Sequence, residues 1–248
     1  MKYIFFILLY ASQPALSQVN TDKTLVAWYT FDGNSNDRSG NDNNPIFNNT
    51  TPAADRFGNP NSARHFNGAN NYIRIKNSSS LCPDEMTLVA IVKPMGFYGG
   101  NCHGNAILEK GPRDGYPGYY VLRYSPGEYA KDCSDFDTVH QSFEGAAYIS
   151  GQNSQNTFVQ TGTWYILMFT FNKENARIYV DGEMISSASS KSKIGRNKED
   201  LFLGKKDNDA FPYWFNGIMD EIRIYKRALG SKEILDLYNM LSKPNGAQ

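Results

Sequence analysis

The chain has 248 residues with 25 basic and 25 acidic side chains, so its formal charge is zero. A balanced charge of this kind does not indicate a basic surface that would bind nucleic acid or a polybasic patch that would bind anionic lipid. No apolar segment beyond the N-terminal region approaches the ~20 residues of a membrane-spanning helix. We therefore expect no nucleic-acid partner and no membrane insertion.

The N-terminus has the pattern of a secretory signal. "MKYIFFILLYASQPALSQ" contains the basic Lys2, an apolar core from Tyr3 to Tyr10, and small residues before the expected cleavage point. The apolar core is too short to span a bilayer. We predict a signal peptide at residues 1–17 and a single exported domain at residues 18–248, secreted to the extracellular or periplasmic space, since sandwiches of this size are routinely single domains.

Short strands separated by clusters of Asn, Gly and Asp follow one another along the chain. In chain order the strand-like segments are "LVAWYTF", "NYIRIK", "MTLVAIVK", "GYYVLRYS", "AAYIS", "WYILMFTF", "ARIYV", "DLFLGKK" and "GIMDEIRIY". After "ARIYV", Asp181–Gly182 predicts a tight two-residue hairpin turn, because glycine accepts the positive φ that this turn requires.

The last element is predicted to be a helix that starts at Ser231 and stops before Pro244. Ser231 can cap the start, and Glu233 suits the positive end of the helix dipole. The apolar stripe of this helix is Ile234, Leu237, Tyr238 and Leu241. A run of strands closed by one short helix predicts an all-β antiparallel sandwich.

Three cysteines follow the signal peptide, and an exported protein meets an oxidising compartment. One disulfide and one free thiol are therefore expected. Cys102 and Cys133 lie in Gly/Asp-rich loops that flank a strand, whereas Cys82 lies at the edge of a separate strand. We favour a Cys102–Cys133 disulfide with Cys82 free, and the other pairings stay open.

Two adjacent carboxylates, Asp220 and Glu221, raise the question of acid/base catalysis. Side chains alternate faces along a strand, so Asp220 shares the buried face with the isoleucines at positions 218, 222 and 224. Met219 and Glu221 then lie on the opposite, outward face. Two catalytic carboxylates must face one sugar, roughly 5 to 10 Å apart. The pair is therefore interpreted as structural.

An inward carboxylate must be paired, hydrogen-bonded or bound to a metal, because an unpaired buried charge is costly. The loop "FDGNSNDRSGNDNN" is rich in the oxygen ligands that Ca²⁺ prefers. We predict a structural Ca²⁺ that joins this loop to the last strand; its ligands are Asp32, Asp37, Asn41 and Asp220. Two alternatives stay open: Asn and Asp fill the loop because they favour turns, or Asp220 accepts backbone N–H groups or pairs with an arginine.

Flat aromatic rings are the feature that a sugar-binding surface needs, because they stack on pyranose faces. The segment "DNDAFPYWFNG" presents such rings in a loop, and its candidate ligand-binding residues are Tyr213 and Trp214. The alternative is that these rings cover the rim of the sandwich or its core.

Several segments together resemble a known family. These are "LVAWYTFDGNSNDRSGN", "SARHFNGANNYIRI", "TWYILMFTFNKENARIYVDGEMI" and "FNGIMDEIRIYKRALGSKEI", and they resemble successive blocks of laminin-G-like, concanavalin A-like domains. The resemblance spans about Leu25 to Leu241. It implies a two-sheet antiparallel jelly roll, often with one structural Ca²⁺, usually non-catalytic and often binding glycans or glycoproteins. It also places the family's metal aspartates at Asp37 and Asp220.

Motifs of catalysis are missing from the sequence. It has no G-x-S-x-G, H-E-x-x-H or P-loop, and no E-x-D-x-E strand of the kind found in concanavalin-like glucanases. We therefore predict a secreted, non-catalytic module that binds carbohydrate or glycoprotein. A glycan-active hydrolase or lyase on the same fold is one alternative, because scattered lyase residues leave no local motif. A purely structural adhesion module is the other.

Overall fold

The computed structural model describes residues 22–100, 104–112, 115–126, 140–147, 150–191 and 193–244. The strands are β1 (Leu25–Tyr29), β2 (Pro45–Asn48), β3 (Thr51–Ala53), β4 (Ala63–Asn67), β5 (Ile73–Ile75), β6 (Met86–Gly96), β7 (Asn105–Lys110), β8 (Tyr120–Ser125), β9 (Ser142–Ala147), β10 (Ser150–Phe158), β11 (Tyr165–Phe171), β12 (Asn175–Val180), β13 (Glu183–Ser189), β14 (Leu201–Leu203) and β15 (Asn216–Tyr225). A 3₁₀ helix, Ser79–Leu81, precedes β6, and α1 (Ser231–Leu241) follows β15. The predicted signal peptide lies outside the described residues.

These strands form two antiparallel sheets. The eight-stranded sheet has the order β13-β12-β11-β6-β15-β4-β3, and β1 also pairs with β15. The seven-stranded sheet has the order β10-β9-β8-β7-β14-β5-β2. Neighbours in each sheet are often distant in sequence, as in a jelly roll, and the predicted two-sheet antiparallel sandwich is confirmed.

The apolar core lies between the two sheets. Ile73, Leu122 and Phe143 of the seven-stranded sheet are fully buried there. They pack in one cluster with Leu88 and Phe169 of the eight-stranded sheet. Because successive side chains alternate faces, each sheet also has an outer face, and the two outer faces differ in what covers them.

Helix α1 covers the outer face of the eight-stranded sheet. Its buried stripe packs against a second apolar cluster that includes Ile91 and Met168. The residues of that stripe are Ile234, Leu237 and Leu241. Both faces of β11 are therefore shielded, which explains why every residue of this strand is buried. The predicted helix is confirmed, and in the described residues no helix is long and apolar enough to cross a membrane.

The start of α1 differs in detail from the prediction. The N-cap residue is Gly230 rather than Ser231, which is the first residue of the helix. The Glu233 carboxylate accepts the Gly230 backbone N–H at 2.8 Å. A carboxylate at the third helical position satisfies a free N–H at the helix start, so Glu233 stabilises this end without a serine cap.

Strand β15 carries a β-bulge at Asp220. Met219 and Glu221 pair with consecutive residues of β6, so Asp220 is the additional residue. A bulge shifts the alternation of faces by one position. Met219 therefore lies in the core together with Ile222, while Ile218 is only half-buried. The uniform alternation predicted for this strand is wrong at Ile218 and Met219 for this reason. Asp220 is buried, as predicted, but it lies beside Arg56 near the end of α1 and not among the core isoleucines.

The predicted two-residue turn joins β12 to β13, with φ of +50° at Asp181 and +83° at Gly182. A Cβ atom at Gly182 would lie 2.7 Å from Cδ1 of Tyr238. Gly182→Ala is therefore expected to lower the free energy of unfolding by about 1 to 3 kcal/mol, because it adds a steric contact to an unfavourable φ. Urea unfolding measures the loss.

Gly162→Ala is a matched control for this substitution. Gly162 has the same φ of +83°, but no atom lies within 4 Å of the position that its Cβ would occupy. The expected loss of stability is smaller for Gly162→Ala than for Gly182→Ala. Equal losses would show that the contact with Tyr238 contributes nothing.

Candidate functional site

An arginine holds Asp220. Asp220 Oδ2 accepts a hydrogen bond from Arg56 Nη1 at 2.6 Å and another from the Arg56 backbone N–H at 3.0 Å. Arg56 Nε also donates to the carbonyl oxygen of Leu241, at the end of α1, at 2.9 Å. Burial raises the pKa of Asp220 to about 6, although Arg56 acts to lower it. Arg56 therefore joins the loop before β4 to both β15 and α1.

Glu221 has a separate set of partners. Its Oε1 accepts a hydrogen bond from Trp28 Nε1 at 2.6 Å and forms an ion pair with Arg223. The Arg223 guanidinium also lies over the Trp28 ring, with Cζ 4.7 Å from the ring centroid. Each of the two adjacent carboxylates is thus engaged by its own arginine, an arrangement that suits structural ion pairs and not one shared reaction centre.

The Asp37 carboxylate organises the loop between β1 and β2. Its Oδ1 accepts the backbone N–H groups of Trp28 and Ser39, both at 2.9 Å. Its Oδ2 accepts the Ser39 hydroxyl at 2.9 Å and the Asn43 backbone N–H at 3.0 Å. Both oxygens therefore accept two hydrogen bonds, and Asp37 acts here as the acceptor that closes a turn.

The other two predicted calcium ligands in this loop are Asn41 and Asp32. Asn41 Nδ2 donates to the Ser39 hydroxyl at 3.0 Å, and Asp32 is exposed. In the part of the chain that the structure describes, no group of three His, Cys, Asp or Glu side chains could hold a metal. A Ca²⁺ shared by the loop and Asp220 would have to displace Arg56 from Asp220. The described side chains do not fit such an ion, and structural Ca²⁺ stays a prediction.

Beside this loop lies a cleft of about 640 Å³, and Asn41 is on its wall. The cationic residues that line the cleft are Lys173, Lys193, Arg196 and Lys226. Lys193 pairs with Asp84, which also lines the cleft, at 3.3 Å. We call this feature the basic cleft.

Of the three cysteines, only Cys82 belongs to the described residues, where it is a buried free thiol. Its Sγ lies 3.5 Å from Oδ1 of Asn77 and 3.6 Å from the carbonyl oxygen of Asn197. The predicted disulfide partners, Cys102 and Cys133, lie outside the described residues, so that pairing stays a prediction.

The outer face of the seven-stranded sheet brings together aromatic and charged side chains. Strand register places Arg74 of β5, Phe202 of β14 and Glu109 of β7 in one cross-strand row. The next residues along β5 and β14 point to the core, so this row lies on the outer face. Arg123 of β8 pairs with Glu144 of β9 on the same face.

Aromatic rings form one half of this surface. The Tyr72 ring stacks on Phe47 with centroids 4.5 Å apart, and it lies 6.0 Å from Phe202 and 6.2 Å from Trp214. Tyr72 and Trp214 are half-buried, while Phe47 is exposed. The predicted candidate Trp214 therefore belongs to a group of four rings at the β2 side of the sheet.

Tyr213 extends the surface toward β7 and β8. Its ring lies 6.4 Å from that of Tyr98, and Lys206 Nζ lies 5.2 Å from its centroid. Burial raises the pKa of the Tyr213 hydroxyl, while nearby Arg123 acts to lower it. Tyr213 has a φ of +47°, a conformation that non-glycine residues rarely adopt. This backbone turn is part of the loop that places Tyr213 and Trp214 against the same sheet.

Ion pairs form the other half of the surface. Lys206 Nζ lies 3.7 Å from Glu109 Oε1, and Arg123 Nε lies 2.7 Å from Glu144 Oε2. Ser125 also donates a hydrogen bond to Glu144. The neighbouring charge of Glu144 raises the pKa of Arg123, which keeps this guanidinium charged.

We call this surface the aromatic–charged strip. Its residues are Phe47, Tyr72, Arg74, Glu109, Arg123, Glu144, Phe202, Lys205, Lys206, Tyr213 and Trp214. It combines aromatic rings, three of them half-buried, with fixed hydrogen-bonding groups, which is the composition of a site for a polar ligand with apolar faces.

The two acids of the strip, Glu109 and Glu144, lie on separate strands and are each paired with a cation. They lie on β7 and β9 with β8 between them, and Glu144 is offset from Glu109 by two residues along the strands. Strand spacing then puts their backbones roughly 12 Å apart. Each carboxylate also pairs with a cation, so the geometry suits binding better than the paired acids of a glycosidase.

Solved structures of low sequence identity share this fold. Domain 4 of AbnA, a GH43 extracellular arabinanase from Geobacillus stearothermophilus in complex with arabinotriose, matches with a TM-score of 0.64 at 19% identity, over 87% of this chain and 98% of that domain. The binding domain of Paraclostridial Mosquitocidal Protein 1 matches with a TM-score of 0.63 at 15% identity, over 90% of this chain and 53% of that one. The botulinum neurotoxin serotype D binding domain matches with a TM-score of 0.61 at 10% identity, over 92% and 53%. The chain spans about half the length of the two toxin domains, and these likenesses show the fold alone.

A comparison with curated proteins found no match. A protein-family model described as the concanavalin A-like lectin/glucanases superfamily matches residues 66–235, more than half of the chain. This match covers strands of both sheets and the start of α1. The chain therefore belongs to the Laminin_G_3 family of the concanavalin A-like lectin/glucanases superfamily.

Proposed function

We propose that this protein is a secreted, non-catalytic module that binds carbohydrate, free or on a glycoprotein, along the aromatic–charged strip. The observation that carries the proposal is the group of half-buried rings at Tyr72, Tyr213 and Trp214, set among fixed charges on one sheet face. Aromatic rings shield the apolar faces of a sugar, while charged and polar groups bind its hydroxyls. The fold is of a carbohydrate-binding type, and the similar AbnA domain in complex with arabinotriose supports an oligosaccharide as the ligand class.

Secretion is the part of this proposal that the N-terminal sequence supports. Residues 1–17 combine Lys2, an apolar core and small residues, the three parts of a signal peptide. Export also agrees with a carbohydrate ligand, because cell-surface glycans and extracellular polysaccharides lie outside the cell.

A glycan-active hydrolase is the second candidate function. The observation that favours it is the presence of two acids, Glu109 and Glu144, on the same sheet face as the candidate sugar-binding rings. The ion pairs that each acid forms, Glu109 with Lys206 and Glu144 with Arg123, argue against it. A direct assay for reaction products separates the two functions.

The test is a screen of the purified protein against a panel of polysaccharides and oligosaccharides, by glycan array and then by isothermal titration calorimetry. The expected result is binding without new reducing ends or unsaturated products. If the wild type releases such products and Glu109→Gln or Glu144→Gln does not, the protein is an enzyme and the proposal of a non-catalytic binding module is wrong. Absence of binding across the panel would contradict the proposal and favour an adhesion module.

A further inference from the structure

Lys205 carries an ammonium group that is enclosed by aromatic rings. Its Nζ lies 5.3 Å from the ring centroid of Tyr72, 5.4 Å from that of Phe202 and 5.3 Å from that of Trp214. Only 9% of the Lys205 side chain is exposed. The three rings belong to the aromatic–charged strip, so this cation lies within the surface proposed to bind sugar.

The pairing of Lys205 is weak for a cation with so little exposure. Among the described residues, its ion pair is with Asp209 Oδ1 at 3.9 Å, and the Asp209 side chain is fully exposed. No hydrogen bond to Lys205 Nζ occurs in the described part of the chain, although an ammonium has three donors. Attraction by the ring faces offsets part of the free energy lost when the ammonium group is taken out of water. It does not provide hydrogen-bond acceptors for the three donors.

The other cations of the strip already have carboxylate partners at shorter distances. Arg74 Nε lies 2.7 Å from Asp200, and Arg123 Nε lies 2.7 Å from Glu144. Lys206 Nζ lies 3.7 Å from the buried Glu109. Lys205 differs from these three because its partner is a solvent-exposed side chain on a loop.

We infer that the ligand of the strip carries a carboxylate and that the Lys205 ammonium group binds it; this inference rests on the proposed function. A sugar acid that stacks on Trp214 or Tyr72 presents its carboxylate at the edge of the pyranose ring, within reach of an ammonium placed between those rings. The exposed Asp209 occupies the position of the ligand carboxylate in the free protein and leaves when the ligand binds. The ligand class is therefore an acidic oligosaccharide, and a charge-assisted hydrogen bond to Lys205 provides its selectivity.

The test compares acidic oligosaccharides with neutral versions of the same molecules. The probes are uronic-acid tetrasaccharides and sialylated oligosaccharides, each measured by isothermal titration calorimetry before and after carboxyl reduction. The wild type is expected to bind at least one acidic probe about 10-fold or more tightly than its reduced form. The probe that shows this preference distinguishes a uronate from a sialic acid as the source of the carboxylate.

Three variants assign the preference to Lys205. Lys205→Met, which keeps the length and apolar stem of the side chain, is expected to remove the preference for the acidic probe, while Lys205→Arg retains most of it. Asp209→Asn is expected to raise affinity for the acidic probe several-fold, because it removes the internal competitor. Lys173→Met, in the basic cleft, is the matched control and is expected to change neither affinity.

Three outcomes would overturn the inference, and they are distinguishable. Equal affinity of the wild type for acidic and reduced probes, or an unchanged preference in Lys205→Met, would show that the strip binds sugar without a carboxylate contact at Lys205. Absence of binding to either form would overturn the proposed function together with this inference.

Discussion

Replacing Asp220 by alanine is expected to lower the free energy of unfolding by about 3 to 5 kcal/mol at pH 7, because it leaves the Arg56 guanidinium without its carboxylate. Only 12% of the Arg56 side chain is exposed, and 6% of the Asp220 side chain. Asp220→Asn is expected to cost less than Asp220→Ala, since the amide oxygen can still accept the Arg56 hydrogen bonds. Urea unfolding of the two variants measures the difference.

Melting with and without chelator in the same series tests the predicted calcium ion. If Arg56 alone holds Asp220, EGTA leaves the melting temperature of the wild type unchanged and the difference between the two variants persists. If Ca²⁺ also binds Asp220, EGTA lowers the wild-type melting temperature, and both variants lose that response. A wild type that chelation destabilises as much as Asp220→Ala does would contradict the arginine anchor.

The pH dependence of stability supplies an independent check on the same carboxylate. Burial raises the pKa of Asp220 to about 6, above the value of about 3.9 in an unfolded chain. The folded state therefore binds the proton more tightly, and the stabilising contribution of this group is fully present below about pH 4. It is lost as the pH rises to 6, and its size is on the order of 3 kcal/mol. Asp220→Asn is expected to remove this component of the pH profile.

Trp214→Ala is expected to weaken binding of the carbohydrate ligand about 30-fold or more, the size of effect typical of a central aromatic residue in a binding site. Trp214 contacts the Tyr72 ring, and it is one of the three rings around Lys205, so its removal disrupts two parts of the strip. Isothermal titration calorimetry with the ligand found in the glycan screen measures the loss, and a melting curve verifies that the variant is folded.

Tyr116→Ala is the matched control for this substitution. Tyr116 is an exposed aromatic residue that lies with Arg196 and Asn197 and is not one of the residues of the strip. Its removal is expected to leave affinity within about twofold of the wild type. A loss in Tyr116→Ala equal to that in Trp214→Ala would show that general loss of surface aromatics, and not the strip, accounts for the effect.

The strands, the tight turn and the terminal helix could be predicted because each depends on local patterns. Residues that are close in sequence determine the alternating strands, the Asp181–Gly182 turn and the apolar stripe of α1. The bulge was not predictable, because it depends on how β15 pairs with β6. The partner of Asp220 lies 164 residues away, so the sequence favoured a metal, kept an arginine only as an alternative and could not identify Arg56.

The candidate site was predictable only in part for the same reason. Tyr213 and Trp214 were found because they are adjacent aromatic residues in one loop. Tyr72 reaches the strip from the residue before β5, Phe202 from β14 and Glu109 from β7. The order of the strands in the sheet brings these residues together, and no local sequence pattern predicts that order. Alternation in "YIRI" and "LFL" could have shown which of their residues face outward, but not which strands are neighbours.

The location of the bound sugar is the central claim, and one measurement tests it most directly. An NMR titration of isotope-labelled protein with a binding oligosaccharide is expected to shift the indole N–H of Trp214 and the backbone amides of Lys205 and Lys206, and to leave the basic cleft at Lys173 and Lys226 unchanged. Shifts confined to the basic cleft, with Trp214 unaffected at saturation, would contradict the account.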